Sequence, residues 1–115
     1  MAVNSRAKGA RGERELANIL KEHGYDARRG QQFCGANGDA DVIGLPGYHI
    51  ECKRTERLEA YKFMEQSSFD AREGEIPLVI YRKNGGEWLV IEKLKDWLEE
   101  RDGHGGTQDV CKDNN

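Results

Sequence analysis

Gly38-Asp39-Ala40-Asp41-Val42-Ile43-Gly44-Leu45-Pro46-Gly47-Tyr48-His49-Ile50-Glu51-Cys52-Lys53 reads as two short strands joined by a tight Pro-Gly turn, with Asp41 entering the first strand and Glu51 and Lys53 on the second. Side chains alternate across a strand, so Glu51 and Lys53 share one face while Ile50 and Cys52 take the other. A carboxylate and an ammonium this close to a sheet interior cost free energy unless they are paired or hold a metal. Two explanations compete. Glu51 and Lys53 form a surface ion pair with Asp41 as a turn residue, or the three belong to a functional cluster.

The chain on either side supplies a frame for that hairpin. From about Arg6 to His23 the pattern is helical, with Leu16, Ala17, Ile19 and Leu20 on one stripe and Gly24 as the stop. At about 100° per residue, Glu13 leans toward that stripe and Glu15 away from it. Glu13 either sits at the open end of the helix and reaches water or faces the cluster. Arg14 lies on the flank. Tyr25 to Arg29 reads as a first strand ending in the pair Arg28-Arg29. Gly30 to Gly38 is glycine- and amide-rich and reads as a mobile loop carrying Phe33, which packs back on the domain or contacts a base or partner.

Downstream, Thr55 is placed to cap a helix over Glu56 to Glu73 with Leu58, Tyr61, Met64, Ser68 and Ala71 inward. Lys62, Gln66 and Phe69 fall on another side. Ile76-Pro77-Leu78-Val79-Ile80-Tyr81 is a continuous apolar run, which suggests a central strand buried on both faces. Asn84-Gly85-Gly86 is a turn, Glu87 to Ile91 a strand pairing back, and Glu92 to Glu100 a last helix with Leu94, Trp97 and Leu98 inward. The order α-β-β-β-α-β-β-α gives an α/β fold, a mixed five-stranded sheet flanked by helices. One domain is expected over residues 1–101, followed by a disordered acidic tail over 102–115.

Composition narrows the function classes. The chain has 115 residues, 37% hydrophobic and 34% charged, with formal net charge −3. Residues 1–30 nevertheless hold seven Lys/Arg against four Asp/Glu, so a local basic surface coexists with an acidic total. Cys34, Cys52 and Cys111 are odd in number and widely spaced, which argues against a disulfide framework and a structural zinc site. Apolar runs are too short to span a membrane, and no signal-peptide pattern opens the chain, so a soluble cytoplasmic protein is expected.

If Glu13 faces the hairpin, it joins Asp41, Glu51 and Lys53 on one side of the sheet. Three carboxylates around a gap favour a hard divalent cation, and Mg²⁺ is the usual choice where phosphate completes the shell. Such an ion activates water and polarises a phosphoryl group. The lysine can orient that water or offset charge in the transition state. His49 shares the Glu51 face and is expected to be solvated at the strand edge or to approach the site.

Lys8-Gly9-Ala10, Glu13-Arg14-Glu15-Leu16, His23-Gly24-Tyr25 leading to Arg29, Asp41, Glu51-x-Lys53 and Ile76-Pro77 together resemble the archaeal-type Holliday-junction resolvases of the PD-(D/E)xK nuclease superfamily. Small resolvase-like proteins of this length are also familiar from bacteriophage genomes. The resemblance runs from about Lys8 to Arg82. It implies a restriction-endonuclease-like fold and a homodimer that binds four-way DNA junctions and hydrolyses phosphodiesters with Mg²⁺, for which Mn²⁺ can substitute. By the same resemblance Glu13, Asp41 and Glu51 are metal-binding carboxylates, Lys53 is the catalytic lysine, and the backbone carbonyl of Cys52 joins the metal shell. Arg14 and Arg29 match DNA-facing positions, and Arg28 and Gln66 complete the expected DNA-binding set. No proline precedes Asp41, and the Gly30 to Gly38 loop is longer than the family pattern, which leaves room for a nicking or flap endonuclease. A non-catalytic DNA-binding protein is the competing class.

Overall fold

The computed structural model of the protein describes residues 5–30 and 40–104. The elements are α1 (Ser5–Glu22), β1 (Arg28–Arg29), β2 (Val42–Ile43), β3 (Tyr48–Arg54), α2 (Ala60–Asp70), β4 (Ile76–Arg82), β5 (Leu89–Glu92) and α3 (Leu94–His104). The strands form one sheet in the order β1-β2-β3-β4-β5. Neighbours are antiparallel except β3 and β4, which run parallel with Glu51 beside Val79. A parallel pair needs a crossover, and α2 supplies it.

The two sheet faces carry different cores. Ile50, Cys52, Leu78 and Ile80 pack with Leu16 and Ala17 of α1 and with Val42, whereas Val79 and Tyr81 pack with Phe63 and Met64 of α2. Alternation along β3 therefore puts Ile50 and Cys52 under α1, and His49, Glu51 and Lys53 on the α2 side. The run Leu78 to Tyr81 is buried on both faces, as its continuous apolarity implies. α1 closes with Gly24 at φ 97° and bonds from Gly24 N–H to Lys21 O (2.9 Å) and Tyr25 N–H to Leu20 O (3.1 Å), a Schellman stop. Gly44, at φ 113°, lets the hairpin press on the α1–β1 connection, where a Cβ would meet Asp26 O and stand 2.5 Å from Ala27 Cα.

Several local expectations need correction. The first strand is only Arg28–Arg29, and Tyr25 is exposed. Thr55 caps no helix: its hydroxyl donates to Arg57 O (2.7 Å) in the preceding turn, and α2 begins four residues later than Glu56, with Glu59 as N-cap. Its buried residues are Phe63, Met64 and Ser67, while Tyr61 is 88% exposed. The buried face is thus rotated by roughly 80° from the apolar stripe, at 100° per residue. On that face Phe63 and Met64 pack on Val79 and Tyr81, and the buried Ser67 hydroxyl lies 3.1 Å from both His49 O and Leu78 O and ties α2 to β3 and β4. An apolar pattern cannot register a hydroxyl that packs inward.

α3 departs most. Leu94, Trp97 and Leu98 are exposed, and the inward residue is Asp96. Polar contacts hold this helix. Glu100 hydrogen-bonds Tyr48 and Glu92, and burial together with Glu100 pushes the Glu92 carboxyl up to about 7 and the Tyr48 hydroxyl up to about 12. The helix continues to His104, three residues into the stretch expected to be a tail. Residues 105–115 and most of the Gly30 to Gly38 loop, with Phe33, lie outside the described residues.

Candidate active site

The β2–β3 hairpin fixes the centre of the site. Val42 pairs with Ile50, and Asp41 N–H donates to Ile50 O (3.0 Å), so Asp41 stands opposite Glu51. There the ladder changes character: Cys52 N–H donates to the side-chain Oδ2 of Asp41 (2.8 Å) in place of a backbone carbonyl. Asp41 lines the cleft together with Glu51.

Glu51 is only 4% exposed, and Lys53 Nζ lies 3.3 Å from its Oε2. The ion pair foreseen on the strand does form, but it is interior, not a surface pair. Lys53 also rests over the Phe63 ring, 5.2 Å from its centroid, which restrains the ammonium near Glu51. Burial, with Asp41 adding to it, pushes the Glu51 carboxyl up to about 7 against the opposing effect of Lys53.

From the other side, α1 brings Glu13, whose side chain is 12% exposed against 41% for Glu15. Helical phase therefore selects the inner carboxylate, as expected. Glu13 Oε1 accepts a 2.8 Å hydrogen bond from Arg29 Nε. Burial raises the Glu13 carboxyl above its ordinary value although the Arg29 hydrogen bond pulls it down, and Asp41 adds to the rise. Glu13, Asp41, Glu51, Cys52, Lys53 and Gln66 line one open cleft of about 460 Å³.

Arg14 and Arg28 are exposed on the surface, and Gln66 is exposed at the cleft wall. Arg29, expected to face DNA, has a side chain that is 37% exposed and donates through Nε to Glu13. Sequence reasoning missed this pair, which joins residues 16 apart through tertiary packing. Of the two expectations for His49, solvation at an edge fails: the ring is buried at 4% exposure with Nδ1 3.5 Å from Glu75 Oε1. The polar residues around His49 come from α2 and the α2–β4 turn, and no spacing rule links them to the hairpin.

The donor set fits a hard divalent cation. Glu13, Asp41 and Glu51 face one cleft beside the Lys53 ammonium, and Glu13 and Glu51 each resist ionisation through burial and the nearby Asp41 charge, a cost that a bound cation removes.

A mixed five-stranded sheet with a buried carboxylate and a lysine on β3, a second acid entering β2 and a third on the first helix defines a restriction-endonuclease-like fold, shared with a solved nuclease. The chain belongs to the phage putative PDDEXK endonuclease family, whose profile matches residues 4–108. Among solved structures it is similar to Hjc, a Holliday junction resolvase from the archaeal hyperthermophile Archaeoglobus fulgidus, with 26% identity and a TM-score of 0.56 over 74% of this chain and 72% of that one. No curated protein sequence matches it. No helix among the described residues is long and apolar enough to cross a membrane.

Proposed function

We propose that the chain is a Mg²⁺-dependent, structure-selective DNA endonuclease that resolves four-way junctions as a homodimer by hydrolysing phosphodiesters. The observation that carries this reading is the convergence of Glu13, Asp41, Glu51 and Lys53 on one open cleft, with Glu51 buried deeply enough to need a counter-charge. Family membership supports the hydrolytic chemistry, and likeness to the archaeal resolvase supports a branched substrate.

Glu13, Asp41 and Glu51 would hold the cation, with the Cys52 carbonyl as a further oxygen, and Mn²⁺ suits the same donors. When bound, the ion supplies Lewis acidity at phosphorus and a water of lowered pKa. Lys53 donates hydrogen bonds to phosphate oxygens as negative charge builds on them. Arg29 fixes the orientation of Glu13 through its 2.8 Å bond. Arg14, Arg28 and Gln66 offer contacts to the sugar-phosphate backbone, which position the substrate without reading its sequence. Two copies about a two-fold axis would present two clefts to a junction of matching symmetry.

Incubation of the wild-type chain with labelled four-way, flap and linear duplex DNA, in Mg²⁺ or EDTA, tests the reading. Paired nicks across the junction are expected in Mg²⁺ alone. Asp41→Asn should bind the junction with unchanged affinity and leave it uncut, because affinity comes from Lys and Arg. Equal cutting of junction and duplex by a monomer would point to a general nicking endonuclease. Cutting by the Asp41→Asn variant at the wild-type rate would remove the site assignment.

A further inference from the structure

On the α2 side of β3, next to the cleft but behind it, a second group of donors meets. One ring nitrogen of His49, one carboxylate oxygen of Glu51 and one of Asp70 lie within 4.8 Å of one another. We propose that His49, Glu51 and Asp70 form a second cation site, selective for Zn²⁺- and Mn²⁺-like ions over Mg²⁺, and that it shares Glu51 with the cleft.

The donor types set the selectivity. Imidazole suits Zn²⁺ and other transition ions, whereas Mg²⁺ prefers oxygen ligands and keeps its waters. Donors bonded to one ion at about 2.1 Å lie roughly 3–4 Å apart, so the three side chains need to draw together by about 1 Å. Asp70 is the last residue of α2 and half-buried, so its side chain has room to adjust.

Burial and outer partners are an independent indication. His49 and Glu51 are each 4% exposed. Among the described residues the His49 ring meets one protein partner outside the cluster, Glu75 Oε1, 3.5 Å from Nδ1. That oxygen is itself held by Arg72 N–H at 2.8 Å. A carboxylate close to the ring of a metal-binding histidine is a common outer partner that orients the imidazole. Ser67, bonded to His49 O, anchors the strand at the same point. On Glu51, Lys53 engages Oε2 at 3.3 Å, so a bound ion shares this carboxylate with the ammonium. The competing state is a metal-free ring packed between Glu75 and the two carboxylates.

Binding at this site does not depend on the nuclease reading; only an effect on cleavage through the shared Glu51 rests on it. Histidine-selective ¹⁵N NMR of the full chain, titrated separately with Zn²⁺ and Mg²⁺, decides the matter. One equivalent of Zn²⁺ should move the His49 ring resonances, and Mg²⁺ in excess should not. Asp41→Asn should preserve the Zn²⁺ response. Asp70→Asn should weaken it at least about tenfold and Glu75→Gln by about tenfold, the scale of losing a ligand or its outer partner. His49 resonances that ignore Zn²⁺, or an Asp70→Asn chain that titrates with Zn²⁺ like wild type, would overturn the site and leave a metal-free ring in its place. Failure of Asp41→Asn to abolish cleavage would count against the nuclease site alone, since it leaves the His49 response untouched.

Discussion

Replacing Glu51 by Gln isolates the cost of keeping a carboxylate inside the sheet. Its ordinary pKa of 4.5 is pushed up to about 7 by burial and by Asp41, with the opposition of Lys53 already included. The fold therefore holds the Glu51 proton more tightly than the unfolded chain does. Its contribution to stability is intact below about pH 4.5 and is lost as pH rises through about 7. At 1.36 kcal/mol per pKa unit, the rise from 4.5 to about 7 corresponds to roughly 3 kcal/mol as an upper bound. Gln has the shape of the protonated acid, so Glu51→Gln should match wild type near pH 4 and exceed its stability by up to about 3 kcal/mol near pH 8. For a domain of this size that gain is on the order of 10 °C in Tm. Urea and thermal denaturation in EDTA, across pH 4 to 8, give the measurement, and Mg²⁺ should return part of the lost stability to wild type alone. A Glu51→Gln variant no more stable than wild type near pH 8 would show that Lys53 fully compensates the buried charge, and the argument for a cation-hungry site would fail.

Gly44→Ala should destabilise the chain by at least about 2 kcal/mol, since the new Cβ meets the backbone of Asp26 and Ala27 at a φ that only glycine tolerates; a urea midpoint within error of wild type would contradict this. Arg14→Ala should lower the slope of log affinity against log salt by about 1 on junction DNA. Arg29→Ala should lower that slope less, because its guanidinium already serves Glu13. Equal slopes for the two variants in a salt-titrated binding assay would mean that Arg29 releases Glu13 to reach phosphate.

The parts of the fold that were legible in the sequence are those where one periodicity dominates. Alternation around Glu51-Cys52-Lys53 placed the polar and apolar faces of β3 correctly, and the unbroken run after Pro77 identified an interior strand buried on both faces. Helical phase separated Glu13 from Glu15. The same reasoning failed on α2 and α3, where polar side chains do the packing. Ser67 packs inward on α2 with its hydroxyl near two carbonyls, and on α3 Asp96 is buried and Glu100 meets Tyr48 while the apolar residues stay outside. The Arg29–Glu13 bond and the approach of Asp70 and Glu75 to His49 arise when distant segments meet on the finished sheet. Local pattern carries no trace of them.

The bond from Cys52 N–H to Asp41 Oδ2 bears on how such a chain can drift over generations. Asp41 is at once a cleft carboxylate and a splice in the β2–β3 ladder, so most replacements remove both roles together. Alanine would strand an amide inside the sheet at a cost of about 1–3 kcal/mol. Asparagine alone keeps an acceptor of the same reach while giving up the charge. A lineage that abandons cleavage but keeps the fold therefore has a narrow exit, through a single base change from an aspartate to an asparagine codon. A relative with asparagine at this position would be a folded protein freed from its chemistry, and one with a bulky or apolar residue there would have had to rebuild the hairpin.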